Sequence, residues 1–285
     1  MSRASPAWRA RRTEGAVGRI EETFHRLRRR GERALIPYFT AGDPGLEVTR
    51  QLVEEAAARG ADLIELGLPF SDPLADGPTI QRASQRALAQ GASLAKLLPV
   101  VASLRGRVSA PLILMSYLNP LHRHGLAAAV QELVQAGFDG LIVPDLPPEE
   151  GRPLDRLARA AGLDLIPLVA PTSGPERLRL IARRARGFLY LVALTGVTGA
   201  RAELPPDLLG KIRELRAVTA KPICVGFGLS TPEHVREVVR WADGAIVGSA
   251  IVRRIEELQG DPGMVGKIGG LIAALKGATR DGGQG

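Results

Sequence analysis

Eight short apolar runs punctuate the chain, at residues 34–39, 62–65, 111–115, 140–143, 164–168, 187–192, 222–225 and 244–247. They are continuous rather than alternating, the pattern of strands covered on both faces. Between them apolar positions fall three and four apart, as at Leu52, Ala56 and Ala57, at Leu178, Ile181 and Ala182, and at Val235, Val238 and Val239. That is helical spacing. Helix starts are marked as well: Pro175 follows Ser173-Gly174 and Pro232 follows Ser230-Thr231, each suited to a first turn.

Strand–helix units repeated eight times over short connections, with no residues left for a second core, predict an α/β fold: a single parallel (β/α)8 TIM barrel. A doubly wound open sheet is the competing arrangement. It would favour a GxGxxG turn after the first strand, and the turn there reads Thr40-Ala41-Gly42-Asp43-Pro44. An additional N-terminal helix is predicted over residues 19–30, with Ile20, Phe24 and Leu27 on one face to plug or flank the barrel's bottom. The expected organisation is a disordered basic extension at residues 1–18, the barrel at 19–276 and a disordered tail at 277–285.

Length changes none of this, since one barrel commonly takes about 250 of the 285 residues available. Charge at first does. The net charge of +8 invites a nucleic-acid reading, but residues 1–33 hold ten Arg and four Glu, leaving only +2 for the rest. No basic stripe with interleaved aromatics follows, so the charge reads as a solvated head. No apolar run approaches the roughly 18 residues of a membrane span, and nothing near the start resembles a signal peptide. A lone cysteine, Cys224, fits a reducing compartment, and a cytoplasmic location is expected.

In a TIM barrel, chemistry sits at the C-terminal ends of the strands and in the loops beyond them. Polar residues so placed are Thr40, Asp43, Glu65, Asn119, Asp145, Thr172 and Ser173. Small residues crowd the last three such ends: Gly196-Val-Thr-Gly199, Gly226-Phe227-Gly228 and Gly248-Ser249. Glycines let backbone N–H groups approach an anion, and a helix start adds partial positive charge, so this corner is expected to bind phosphate.

Glu65 ends a strand whose preceding residues, Leu63 and Ile64, are apolar, which aims a carboxyl into the barrel mouth. A charge there is costly unless paired or functional. The loop beyond carries Asp72 and Asp76 between Pro69, Pro73 and Pro78. Both aspartates also suit turns, and for Asp72 a turn role and a partner-contact role stand level. None of the five Lys ends a strand at the mouth, which leaves Schiff-base chemistry unsupported. His122 and His124 form the one ligand-like pair and lack a third histidine, so no metal is expected. What remains is proton transfer by carboxylates on a phosphorylated substrate. Tyr38, Ile80, Tyr117, Ile142 and Phe227 could wall an apolar slot for a bicyclic ring, or simply pack the barrel.

The chain closely resembles the α subunits of tryptophan synthase from residue 19 to residue 276. The motifs that carry the resemblance are PYFTAGDPG (37–45), IELGLPFSDPLADGPTIQ (64–81), LNP (118–120), VPDLP (143–147), TGVTGAR (195–201), GFGLS (226–230) and GSAIV (248–252). It implies retro-aldol cleavage of indole-3-glycerol phosphate to indole and glyceraldehyde 3-phosphate, a lyase step in tryptophan biosynthesis that needs no cofactor of its own. It implies Glu65 as acid–base group and Asp76 as second carboxylate. Tyr190, Gly199, Gly228, Gly248 and Ser249 would hold the phosphate end and its surroundings. A pyridoxal-phosphate β subunit is the implied partner, in an α2β2 complex docked on loops carrying Pro69, Asp72, Asn119 and Pro120. Leu194 stands where some relatives carry a polar residue. The alternatives are a sugar-phosphate isomerase, which would need a strand-end acid such as Asp145, a free-standing indole-3-glycerol-phosphate lyase, and an idle barrel that only binds a partner.

Overall fold

The computed structural model describes residues 18–192, 207–226 and 228–280. Its strands are β1 (Ala34–Thr40), β2 (Ile64–Gly67), β3 (Leu112–Met115), β4 (Gly140–Ile142), β5 (Asp164–Leu165), β6 (Leu168–Val169), β7 (Leu189–Val192), β8 (Ile223–Gly226) and β9 (Gly244–Val247). The helices are α1 (Arg19–Arg29), α2 (Leu46–Ala58), α3 (Pro78–Ala89), α4 (Leu94–Leu104), α5 (Leu118–His124) and α6 (Leu126–Ala136). The later helices are α7 (Arg152–Ala161), α8 (Pro175–Arg184), α9 (Leu208–Val218), α10 (Pro232–Val238), α11 (Ser249–Glu257) and α12 (Met264–Ala278).

All strand pairings are parallel, and β1 lies between β2 and β9. The single run predicted at 164–168 is broken, because Pro167 has no N–H to offer a ladder. The ring nevertheless closes through it: β5 pairs β4, β6 pairs β7, and only Ile166 and Pro167 intervene. Ile166 N–H donates to Leu141 O at 2.9 Å on one side, and Pro167 O accepts from Tyr190 N–H at 3.1 Å on the other. β5 and β6 are thus two halves of the fifth barrel strand, and the eightfold TIM barrel stands.

Alternate residues of each strand separate two cores. Leu35, Phe39, Ile64, Leu66, Leu112, Leu114, Val225 and Val247 face the helices. Ile36, Tyr38, Ile113, Met115, Ile142, Tyr190, Cys224 and Ile246 fill the interior. α1 buries Ile20, Phe24 and Leu27 against that interior, with the Phe24 ring 5.7 Å from Phe188. It plugs the bottom and leaves the other end for chemistry. At the expected tail boundary, α12 continues to Ala278 and Thr279 is buried, while residues 281–285 lie outside the described residues. Lys276 anchors that helix by donating to Asp62 at 2.8 Å. Among the described residues no single helix is long and apolar enough to cross a membrane.

Candidate active site

Glu65 sits on β2 in register with Tyr38 on β1 and Ile113 on β3. It is 1% exposed, and neither carboxyl oxygen has a hydrogen-bond partner among the described residues. A structural carboxyl would be paired, because an orphaned buried polar group costs about 1–3 kcal/mol or more. Burial, reinforced by the nearby charge of Asp76, pushes its pKa up to about 8. At neutral pH Glu65 is mostly a protonated acid.

Asp76 reaches the same space from the loop after β2 and is nearly buried. The Tyr117 hydroxyl donates to Asp76 Oδ2 at 3.0 Å and itself accepts the Ala75 N–H at 2.9 Å. Gln81 donates to the Asp76 carbonyl at 2.9 Å and fixes the backbone beneath. Desolvation raises the Asp76 carboxyl to about 6, against the lowering effect of the Tyr117 bond. Two carboxyls facing one volume thus have separated pKa values and opposite preferred states at pH 7, an acid and a carboxylate.

The walls come from neighbouring strands. Tyr38, Ile80, Ile142 and Tyr190 belong to one buried apolar cluster, with Met115, which the sequence did not single out. Tyr117 lies outside that cluster and serves Asp76 instead, its ring 5.3 Å from Phe70. The two inward tyrosines are seated alike. Tyr38 lies over Gly67 and Tyr190 over Gly226, each glycine two residues beyond the tyrosine's register partner, and a Cβ at either would collide with the phenol. Sequence reading took Gly226 for an anion-binding position; its first duty is to make room for Tyr190.

Gly248 differs. The nearest atoms a Cβ there would meet belong to Tyr38, at 3.4–3.5 Å, an ordinary contact, so packing does not demand glycine. Gly248 and the exposed Ser249 form the start of α11, and Gly228 adopts φ +91°. Gly199 and Phe227, expected at the same end, lie outside the described residues, as does the 196–201 loop.

Several strand-end candidates do other work. Asp43 is buried but ion-paired to Arg86. Asp145, the strand-end acid that sugar-phosphate isomerisation would need, is exposed and accepts the Leu118 N–H at 2.9 Å, capping α5. Thr172 is exposed, and the Ser173 carbonyl accepts from Lys211 at 3.1 Å. His124 pairs with Glu132 at 2.9 Å, and among the described residues no group of His, Cys, Asp and Glu could hold a metal ion. A cavity of about 430 Å3 opens beside the break in the fifth strand. It is lined by Asp145, Leu165, Leu168, Arg177 and Val192 among others, and reaches the interior at Leu168 and Val192. At the outer rim Asp72, Leu74 and Asn119 are exposed, Leu74 by 91%. Pro69, expected on that face, is buried beneath it, and Pro120 is half-buried.

The model of the tryptophan synthase alpha chain family matches residues 24–275. The tryptophan synthase alpha chain of Chloroflexus aggregans is 56% identical over 243 residues, covering 85% of this chain and 91% of its own. That of Citrifermentans bemidjiense is 48% identical over 260 residues, covering 91% and 97%. The crystal structure of tryptophan synthase subunit alpha from Legionella pneumophila superposes with TM-score 0.86 at 38% identity, covering 93% of this chain and 99% of that one.

Proposed function

The chain belongs to the tryptophan synthase alpha chain family, and from that premise we propose that it cleaves indole-3-glycerol phosphate into indole and glyceraldehyde 3-phosphate, with Glu65 moving the protons and Asp76 facing the ring nitrogen. The observation that carries the reading is the Glu65 carboxyl, buried on a rigid strand, without a hydrogen-bond partner among the described residues, and raised to about 8.

The bond between indole C3 and the glycerol chain resists cleavage because indole would depart as a carbanion equivalent. Protonated Glu65 delivers its proton to C3, and the resulting positive charge spreads to the ring nitrogen. Asp76, ionised and held by Tyr117, accepts the ring N–H and stabilises that charge as it develops. Glu65, now a carboxylate, takes the proton from the hydroxyl on the carbon bonded to C3. That carbon becomes the aldehyde of glyceraldehyde 3-phosphate, and the bonding pair returns to the ring. Glu65 ends protonated, ready for another turnover.

Tyr38, Ile80, Ile142 and Tyr190 wall the ring, while Gly228, Gly248 and Ser249 receive the phosphate near the N–H groups at the start of α11. No step calls for a metal or cofactor. The partner is the pyridoxal-phosphate β subunit, which docks over Asp72, Asn119 and Pro120 and takes up indole. The buried thiol of Cys224 suits a cytoplasmic setting. Incubating purified chain with indole-3-glycerol phosphate, with and without a β subunit, and measuring free indole or tryptophan tests the reading. Absence of cleavage under both conditions overturns it.

A further inference from the structure

The turn after β1, the end of α3 and the end of α11 are tied together by four charged side chains outside the barrel mouth. Arg86, in the last turn of α3, forks onto Asp43: Nε donates to Oδ1 at 2.9 Å and Nη2 to Oδ2 at 2.7 Å. Its Nη1 donates to Glu256 Oε1 at 2.7 Å. Arg82, one helical turn earlier, forks onto the same Glu256 at 2.9 and 2.8 Å. Asp43 is only 2% exposed, and the two arginines hold the Glu256 carboxyl down at about 2.

Isolated exposed ion pairs contribute little, and several on this surface, such as Arg50 with Glu47 and Glu54, join residues of one helix only. The Arg86 cluster joins three segments through paired forks, which constrain geometry as well as energy. Each segment leads straight into the site. α3 begins two residues after Asp76 and carries Ile80, the turn follows Tyr38 and Thr40, and α11 begins at Gly248 and Ser249. Beneath the charges Tyr38, Ile80, Ala83 and Val252 share one buried cluster, so the three segments are packed as a block.

We propose that Arg86 is a positioning residue for the cleavage: by pinning α3 to the turn after β1 and to α11, it sets the distance between Asp76 and the anion-receiving helix start at Gly248 and Ser249. The inference rests on the roles given to those residues above. A substrate with an indole ring at one end and a phosphate at the other is gripped at both ends at once. Spacing therefore enters its binding, and does not enter the binding of either fragment alone.

Two probes separate spacing from stability in the full chain: inorganic phosphate, and the phosphate ester of 3-(indol-3-yl)propanol, which spans both ends and lacks the hydroxyl needed for cleavage. Arg86→Met weakens the spanning ester about tenfold or more, since small misplacements are costly in a two-point site, while inorganic phosphate changes by less than about twofold. Arg86→Lys keeps the charge but cannot fork and bridge together, and falls between. A folded Arg86→Met that binds the ester like the wild type overturns the proposal. So does equal weakening of both probes, the mark of local damage at the phosphate corner. Should Arg86→Met fail to fold, Glu256→Gln leaves the fork on Asp43 in place and carries the same comparison, with the same two outcomes. A wild-type chain that binds neither probe overturns the assigned site and the clamp together, and that control tells the two failures apart.

Discussion

The Tyr117 hydroxyl donates to Asp76 at 3.0 Å while Glu65, facing the same volume, has no hydrogen-bond partner among the described residues. One carboxyl is thereby held in place as an anion and the other is left as a mobile proton store. The pH dependence of the reaction follows from this asymmetry.

Cleavage requires Asp76 ionised and Glu65 protonated. With the two groups near about 6 and about 8, kcat/KM for indole release should trace a bell between those values, the limbs belonging to the coupled pair. A flat profile from pH 5 to 9 would remove Glu65 from the proton path.

Tyr117→Phe removes the bond that lowers the Asp76 pKa. The acidic limb should move upward, toward the basic one, and the plateau should fall by roughly tenfold as the carboxylate loses its orientation. An unmoved limb in the measured profile would show that Asp76 does not set it.

Glu65→Gln should cost about 10²–10⁴-fold in turnover or more, yet stabilise the fold at alkaline pH. The folded-state pKa of Glu65 lies above its ordinary 4.5, at about 8, so the wild type loses stability as pH rises through that window. The advantage of the glutamine variant should be absent below about pH 4, grow between about 5 and 8, and level off at a magnitude on the order of 5 kcal/mol. Thermal melts across pH read it directly, and a variant less stable than wild type at pH 9 would contradict the buried, unpaired carboxyl.

Two glycines separate packing from ligand space. Gly226→Ala places a methyl against Tyr190 and should lower stability by about 1–3 kcal/mol. Gly248→Ala meets only ordinary contacts, so the melting temperature should hold while KM rises as the methyl enters the space of the phosphate. An unchanged KM for Gly248→Ala would place the phosphate elsewhere.

The exposed rim should answer to the partner alone. A β subunit is expected to raise indole-3-glycerol phosphate cleavage about tenfold or more, through coupling of the order of 1–3 kcal/mol between the two sites. Asp72→Ala and Leu74→Asp should abolish most of that gain and leave the isolated chain nearly unaltered. Sedimentation showing no complex at micromolar concentrations would instead favour a free-standing lyase.

The barrel was legible because its evidence is periodic: apolar runs buried on both faces recur eight times, and the turn after the first lacks the GxGxxG that would favour an open sheet. Glu65 was legible for a similar local reason, as a lone carboxyl closing an apolar run, and the segment from residue 64 to 81 was the most specific of the motifs carrying the family resemblance. What folding decided was every relationship between residues distant in sequence. Tyr117 looked like an apolar wall, and only the approach of the loop after β2 to β3 turns its hydroxyl onto Asp76. Asp43 looked like a mouth residue, but its side chain meets Arg86, 43 positions away. Gly226 looked like an anion site until Tyr190, across the ladder, was seen to need its space. Pro167 interrupts the fifth strand without opening the ring, because the flanking strands find bonds on either side of it. Local sequence states which groups a residue can offer. Which of them find no partner among the described residues, like the oxygens of Glu65, depends on what the rest of the chain brings within reach.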